Sequence, residues 1–308
     1  MLHIYTRTNI FWKKEYLRYV LSRITKRSRG PGAVIESVIR GLDILNIPYS
    51  INAPYTSIKP GDTVYVISGT QAVRDILDVK KRLKNIKLLV GPTITVLPSD
   101  ENNLIKDSAI DAIIVPSQWV KDLYISTDAT LAPRIQIVPA GVPEEIGNNQ
   151  TNKKKILIYF KNAPENLYTH TCQILSKHNI EHITLRYGTF KRDEYFKALT
   201  ESFAMIYLSP TESQGIALNE AWIRDIPTLV WNKGYWEYAG IRWDNEKISA
   251  PYLSEETGLF FKGEKDFEEK VQEFISKLKS FKPRIYSLPR FTDEVCTRQL
   301  MNIIDSIK

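Results

Sequence analysis

Two glutamates, Glu212 and Glu220, flank the start of a segment that reads as a helix. The stretch runs Ser209-Pro210-Thr211-Glu212-Ser213-Gln214-Gly215-Ile216-Ala217-Leu218-Asn219-Glu220-Ala221-Trp222 and follows the apolar run Met205–Leu208. A helix start leaves its first N–H groups without intrahelical acceptors. Those of Gln214, Gly215 and Ile216 therefore favour an anion, and the glycine lets a phosphate come close. Glu220 sits too near such a phosphate to be its ligand. Its carboxylate suits the hydroxyls of a sugar diol such as ribose, through charge-assisted hydrogen bonds of about 1.5–3 kcal/mol each. The competing reading is a surface loop whose acids merely answer the helix dipole.

The elements around this loop alternate. Leu2–Thr6, Tyr49–Asn52, Thr63–Ile67, Lys87–Val90, Ala112–Val115 and Ile135–Val138 read as strands, with helices over Ala33–Asn46, Thr70–Lys84 and Ser117–Tyr124 between them. A polar, turn-rich stretch from Gly141 to Gln150 follows, and then the pattern restarts. Strands are expected at Ile156–Phe160, His182–Leu185, Met205–Leu208 and Thr228–Trp231. Helices are expected at Glu165–Lys177, Asp193–Glu201, Gly215–Arg224 and Phe267–Lys279, and Pro289 precedes a last one over Thr292–Ile307. Several strand runs are apolar throughout, as in a sheet covered on both faces. The fold class is α/β, with two Rossmann-like halves facing a central cleft. Residues 1–150 form the first, 151–290 the second, and 291–308 a C-terminal helix that can pack back on the first. Ligands of open α/β sheets sit at the carboxyl ends of strands, so the loops after strands carry the site.

The 308 residues are 43% hydrophobic and 25% charged, which excludes a disordered or collagen-like chain. Cys172 and Cys296 are the two cysteines, too few for a disulfide scaffold or a cysteine-based zinc site, and a reducing cytosolic compartment fits them. No histidine or acid spacing suggests a metal, so no cofactor is expected. The N-terminus lacks the apolar run of a signal peptide, and no stretch reaches a membrane span. Net charge is +7, and Arg7–Arg29 alone holds eight bases against Glu15. Trp12, Lys13, Lys14, Arg18, Lys26 and Arg27 belong to this aromatic, basic segment. It can lie on an anionic membrane surface, hold an anionic acceptor or nucleic acid, or pack its aromatic face on the core. The aromatic stretch Trp231, Tyr235, Trp236, Tyr238 and Trp243 is equally two-sided, since such rings stack on sugars and also fill cores.

Glu212 and Glu220 are separated by seven residues, and the ordered surroundings resemble the retaining GT-B glycosyltransferases, most like glycosyltransferase family 4. Ser209-Pro210-Thr211-Glu212-Ser213-Gln214-Gly215, Asn219-Glu220-Ala221 and Asp225-Ile226-Pro227-Thr228-Leu229-Val230 are similar to that family's donor-domain motifs. Val115-Pro116-Ser117-Gln118-Trp119-Val120 and Val138-Pro139-Ala140-Gly141-Val142 look like its strand–serine–helix step and interdomain strand end.

The resemblance implies an enzyme that moves a sugar from a nucleotide-sugar to a hydroxyl acceptor with retention, the acceptor being a glycan or a lipid-linked sugar. Glu220 would hold the ribose, Glu212 the transferred sugar, and Ser213 to Ile216 the sugar and diphosphate. Lys161 would neutralise the leaving diphosphate, with Arg186 or Lys191 as a second cation. Tyr187-Gly188 would border the nucleobase, and Gly30-Pro31-Gly32 would form a glycine-rich loop toward phosphate or acceptor. The cysteine usage and the basic segment, read together, predict a cytoplasmic protein that is peripheral at the inner membrane surface. Many family members carry a first-domain histidine near the sugar. Here His3 is the one histidine before residue 170, in the first strand, where a structural role is expected. That departure keeps a catalytically silent nucleotide-sugar-binding protein as the alternative, with a nucleic-acid-binding protein behind it.

Overall fold

Apolar runs without alternation become strands buried on both faces, and amphipathic segments become the helices that cover them. The computed structural model describes residues 1–10, 13, 30–144 and 154–307. The chain divides into two compact units, Met1–Gly141 together with the residues from Asp293 onward, and Val142–Thr292.

In the first unit the strands are β1 (Leu2–Tyr5), β2 (Tyr49–Ile51), β3 (Thr63–Ser68), β4 (Lys87–Thr93), β5 (Ala112–Val115) and β6 (Ile135–Ile137). They form one parallel sheet in the order β2-β1-β3-β4-β5-β6. Ile4, Val64, Val66, Leu88 and Val90 are fully buried in it. His3 is buried on β1, its Nδ1 2.7 Å from Ser50 Oγ and its Nε2 3.0 Å from Asp62 Oδ2. Both ring nitrogens are thus engaged in holding strands together.

The last helix, Asp293–Ser306, packs on the Gly30–Ile44 helix. Gly41 makes this possible: a Cβ there would overlap Thr297 Oγ1 and stand 2.5 Å from Asp293 O. Next to it Arg40 grips the buried Asp293 with two bonds, 2.6 Å from Nε and 3.0 Å from Nη2. Gly30, Pro31 and Gly32 were expected as a loop ahead of the helix and instead form its first turn. Proline fits there because the first-turn N–H groups have no intrahelical partner to lose.

The second unit has β7 (Lys155–Phe160), β8 (His182–Arg186), β9 (Ser202–Leu208), β10 (Thr228–Trp231), β11 (Tyr235–Tyr238), β12 (Ile241–Asp244) and β13 (Gly258–Phe261). Five of them form a parallel sheet ordered β13-β10-β9-β7-β8. Alternate residues of β7 enter opposite cores. Ile156, Ile158 and Phe160 join Phe267, Val271 and Phe274 of the Glu264–Ser276 helix. Leu157 and Tyr159 join Tyr195 and Leu199 of the Arg192–Glu201 helix and Leu218 and Trp222 of the Ile216–Ile223 helix.

Four elements of this unit carry no clear mark in the sequence. β11 and β12 form an antiparallel hairpin closed by Ala239 and Gly240, both at positive φ (50° and 78°). A turn of that kind normally advertises itself with asparagine or aspartate at the first position, and alanine hides it. β13 adds an edge strand, and Pro283–Phe291 is a helix that contains Pro289 rather than ending before it. The unit also includes Val142, whose N–H donates to Phe291 O at 2.8 Å. The expected boundary at residue 150 lies outside the described residues. Among the described residues no helix is long and apolar enough to cross a membrane.

Gly41→Ala should push the two first-unit helices apart and lower stability by about 1–3 kcal/mol, the usual cost of overpacking. A urea midpoint equal to that of the unsubstituted chain would contradict the close packing.

Candidate functional site

Counted within its own sheet, the second unit has strand order 2-1-3-4-5, so connections leave β7 and β9 in opposite directions. Such a switch point opens a crevice at the carboxyl ends of the two strands. The strands stay paired to the edge, where Lys161 N–H donates to Leu208 O at 2.8 Å. Beyond that bond the backbones diverge, Asn162 turning at φ 57° on one side and Ser209 opening the glutamate loop on the other.

A charged cluster sits on this divergence. Glu212 is 8% exposed, and its Oε1 accepts from Lys161 Nζ (2.7 Å), Tyr207 OH (2.7 Å) and Ser209 Oγ (2.9 Å). Its own N–H donates to Ile248 O at 2.8 Å, tying the loop to the chain returning from the hairpin. The Lys161 ammonium also lies 5.0 Å from the centre of the Tyr187 ring, which is 45% exposed. Gly188 follows at φ 87° with open space where a Cβ would be. Lys161, Tyr187 and Glu212, far apart in the chain, thus meet at one sheet edge.

Glu220 belongs to a second cluster. It is 6% exposed, on the fifth position of the Ile216–Ile223 helix, and its Oε1 accepts from Arg192 Nη2 at 2.7 Å. Arg224 Nη1 donates to the Glu220 carbonyl at 2.9 Å. Phe196 lies under both guanidiniums, 5.1 Å from that of Arg192 and 4.2 Å from that of Arg224. Arg192 is thus a cation at Glu220 that the sequence did not single out. Arg186 is engaged with Glu165 through two bonds, 2.5 and 2.9 Å, and its guanidinium stacks over Phe160 and Tyr168.

Three tyrosines join the clusters from below. Tyr159 stacks on Tyr207 at 4.9 Å and meets Tyr195 edge-on at 5.5 Å. Tyr195 OH donates to Ala217 O at 2.6 Å, one turn before Glu220. Burial first, then the nearby carboxylate, holds the hydroxyls of Tyr207 and Tyr195 protonated well above the ordinary tyrosine range. They act as fixed donors. These tyrosines escape sequence reasoning because they occupy apolar strand and helix positions, and Arg192 escapes because no motif surrounds it.

Between the glutamates, Ser213 is exposed and Gln214 and Gly215 are buried. Gly215 caps the helix in the left-handed region, φ 83° and ψ 52°. A Cβ there would be strained by that φ and would meet Leu218 Cδ1 at 3.0 Å.

The first unit has its own polar cluster after β1 and β3. Buried Asp75 accepts from Thr8 Oγ1 (2.5 Å), Lys13 Nζ (2.5 Å), Gln71 Nε2 (2.9 Å) and Tyr55 OH (3.1 Å). Lys13, expected on a membrane or acceptor surface, is thus turned onto Asp75. Trp12, Lys14, Arg18, Lys26 and Arg27 lie outside the described residues. Among the described residues no group of three or more His, Cys, Asp or Glu side chains is placed to hold a metal ion.

Replacing Arg192 with alanine removes the guanidinium from a nearly buried carboxylate. In a double-mutant cycle with Glu220→Gln, the coupling should be about 1–3 kcal/mol, and additive effects would show that the pair carries no energy.

No family model matches the chain, and no curated protein does. Solved structures do. The lipopolysaccharide outer core galactosyltransferase WaaB, apo form, is similar at TM-score 0.62 and 12% identity, over 99% of this chain and 99% of that one. The catalytic domain of starch synthase IV from Arabidopsis thaliana, bound to ADP and acarbose, is similar at TM-score 0.59 and 8% identity, over 97% and 99%. The pneumococcal O-GlcNAc transferase GtfA, in complex with UDP and GlcNAc, is similar at TM-score 0.55 and 10% identity, over 82% of this chain and 58% of that one. With two parallel α/β units and these likenesses, the chain has the α/β architecture of GT-B glycosyltransferases.

Proposed function

We propose that the chain is a glycosyltransferase that takes a sugar from a nucleotide-sugar and gives it to a hydroxyl acceptor with retained configuration. The observation that carries this reading is the Lys161–Glu212 ion pair at the β7/β9 switch point, on the loop that leads into the Ile216–Ile223 helix. Support comes also from solved structures of the same fold that hold UDP with GlcNAc, or ADP with acarbose.

In this reading the second unit takes the donor. The helix start and Gly215 receive the diphosphate, Glu220 the ribose hydroxyls, and Tyr187-Gly188 the base. Glu212 accepts hydrogen bonds from the hydroxyls of the transferred sugar. As the bond between the anomeric carbon and the phosphate oxygen breaks, negative charge gathers on the leaving diphosphate. Lys161 shifts from Glu212 to that charge, the kind of electrostatic stabilisation that dominates in a dry site. The acceptor oxygen bonds to the anomeric carbon on the same face, and its proton passes to the departing phosphate oxygen. Specific observations also favour a second reading, a nucleotide-sugar-binding protein without transfer. Lys161 is held by Glu212, and His3 is used structurally.

Calorimetry with UDP and ADP tests the donor site. At least one should bind, and Glu220→Ala should weaken binding at least tenfold and more than Gln214→Ala. At a hundred times Kd the ligand should add about 2.7 kcal/mol to stability. A nucleoside diphosphate panel that neither binds nor shifts the melting temperature overturns the proposal. Transfer from a nucleotide-sugar with an inverted anomer, read by NMR, overturns retention alone.

A further inference from the structure

Tyr159 and Tyr207 are direct partners in the pairing of β7 with β9, and their rings stack at 4.9 Å with 15° between planes. Opposed residues of neighbouring strands point to one face of the sheet, so the two phenols run side by side. The Tyr207 hydroxyl ends on Glu212 Oε1 at 2.7 Å. Tyr195, which meets Tyr159 at 5.5 Å and 74°, ends on Ala217 O at 2.6 Å. The third hydroxyl of the group, that of Tyr159, has no hydrogen-bond partner among the described residues.

Such a vacancy is unusual in a residue only 5% exposed. The side chain cannot swing to find an acceptor. Tyr207 stacks on its ring, and Phe190 (5.7 Å) and Tyr195 both pack against it at 74°. Nor is the hydroxyl enclosed, unlike the Asn219 amide or the Trp243 Nε1, which are shut in without a partner. Tyr159 therefore keeps a fixed, uncovered donor near the carboxyl end of β7, two residues before Lys161.

Its surroundings select what it can hold. Burial, then the Glu212 carboxylate, then the Tyr187 phenol and Glu220, keep its proton bound far above the ordinary tyrosine range. The phenol thus stays a donor, while the carboxylates beside it accept only. A group that fits between them must accept from the phenol and donate to an acid. A hydroxyl does both. A phosphate oxygen only accepts, and both acids repel it.

We infer that Tyr159 is a sugar-binding residue, whose hydroxyl donates to a hydroxyl of the transferred sugar that in turn donates to Glu212. The assignment deepens the glycosyltransferase reading and rests on it, since that reading places the transferred sugar at Glu212. A site that offers a fixed donor and acceptor to one hydroxyl discriminates strongly against ligands that lack it. Tyr159 thereby adds affinity for the sugar and none for the nucleotide.

The test is calorimetry on the full chain and on Tyr159→Phe, which keeps the ring packing and removes the hydroxyl alone. The ligands are UDP and ADP, and then UDP-glucose, UDP-galactose, UDP-GlcNAc and ADP-glucose. At least one nucleotide-sugar should bind the unsubstituted chain, and Tyr159→Phe should weaken it by about tenfold. UDP or ADP binding should stay the same. The ligand-free melting temperature should not fall, because this hydroxyl satisfies nothing inside the protein. Four outcomes overturn the inference and leave the donor site standing. They are equal nucleotide-sugar binding by both chains, equal losses for nucleotide and nucleotide-sugar, a lower ligand-free melting temperature, and nucleotide binding with no nucleotide-sugar bound. An unsubstituted chain that binds none of these ligands overturns the donor-site reading, and the sugar contact with it.

Discussion

The Lys161–Glu212 ion pair spans the line along which β7 and β9 part. Everything proposed for the site depends on that line. In a parallel sheet the carboxyl ends of neighbouring strands lie at one edge, and their outgoing loops usually run the same way. Where the order reverses, two loops separate and leave a gap with polar backbone on either side. Here a lysine from one loop and a glutamate from the other close the gap.

Burying a carboxylate is costly unless several donors surround it. Glu212 meets an ammonium, a phenol and a serine hydroxyl, and Glu220 meets a guanidinium. The tyrosines beneath supply the rigidity. Tyr207 is fully buried, stacked on Tyr159, and so presents its hydroxyl to Glu212 at a fixed angle. Packing energy in the core is thereby converted into orientation at the surface. In the proposed function, a donor ligand that took over part of the hydrogen bonding would lose little entropy from the protein side, because the acids are held before it arrives.

The alternation of apolar runs with amphipathic ones was enough to place nearly every parallel strand, since β7, β9 and β10 carry solid apolar stretches. β13 escaped because Gly258 opens it and it follows a turn-rich stretch. The hairpin escaped because its period-two pattern is written in aromatic residues that also suit a core, and because alanine occupies a turn position that asparagine usually marks. At the site, Glu212, Glu220 and Gly215 stood out by their spacing around a helix start. Arg192, Tyr207 and Ser209 did not, since a counter-ion for a buried acid can come from any loop that the sheet brings near. Gly30, Pro31 and Gly32 were expected as a glycine-rich loop because the family resemblance implies one there. Helix-start geometry absorbs all three without penalty.

By itself, then, the chain's order of residues determined the α/β class, the doubled plan and the acid–glycine–acid segment at a helix start. These are local properties, set by side-chain periodicity and by which backbone groups a helix end leaves over. Which cation faces which acid, and which rings stack, was decided only by tertiary structure. Strand order and register bring together residues such as Lys161 and Glu212, or Tyr159 and Tyr207, and the energy of those meetings depends on distances that no stretch of sequence contains.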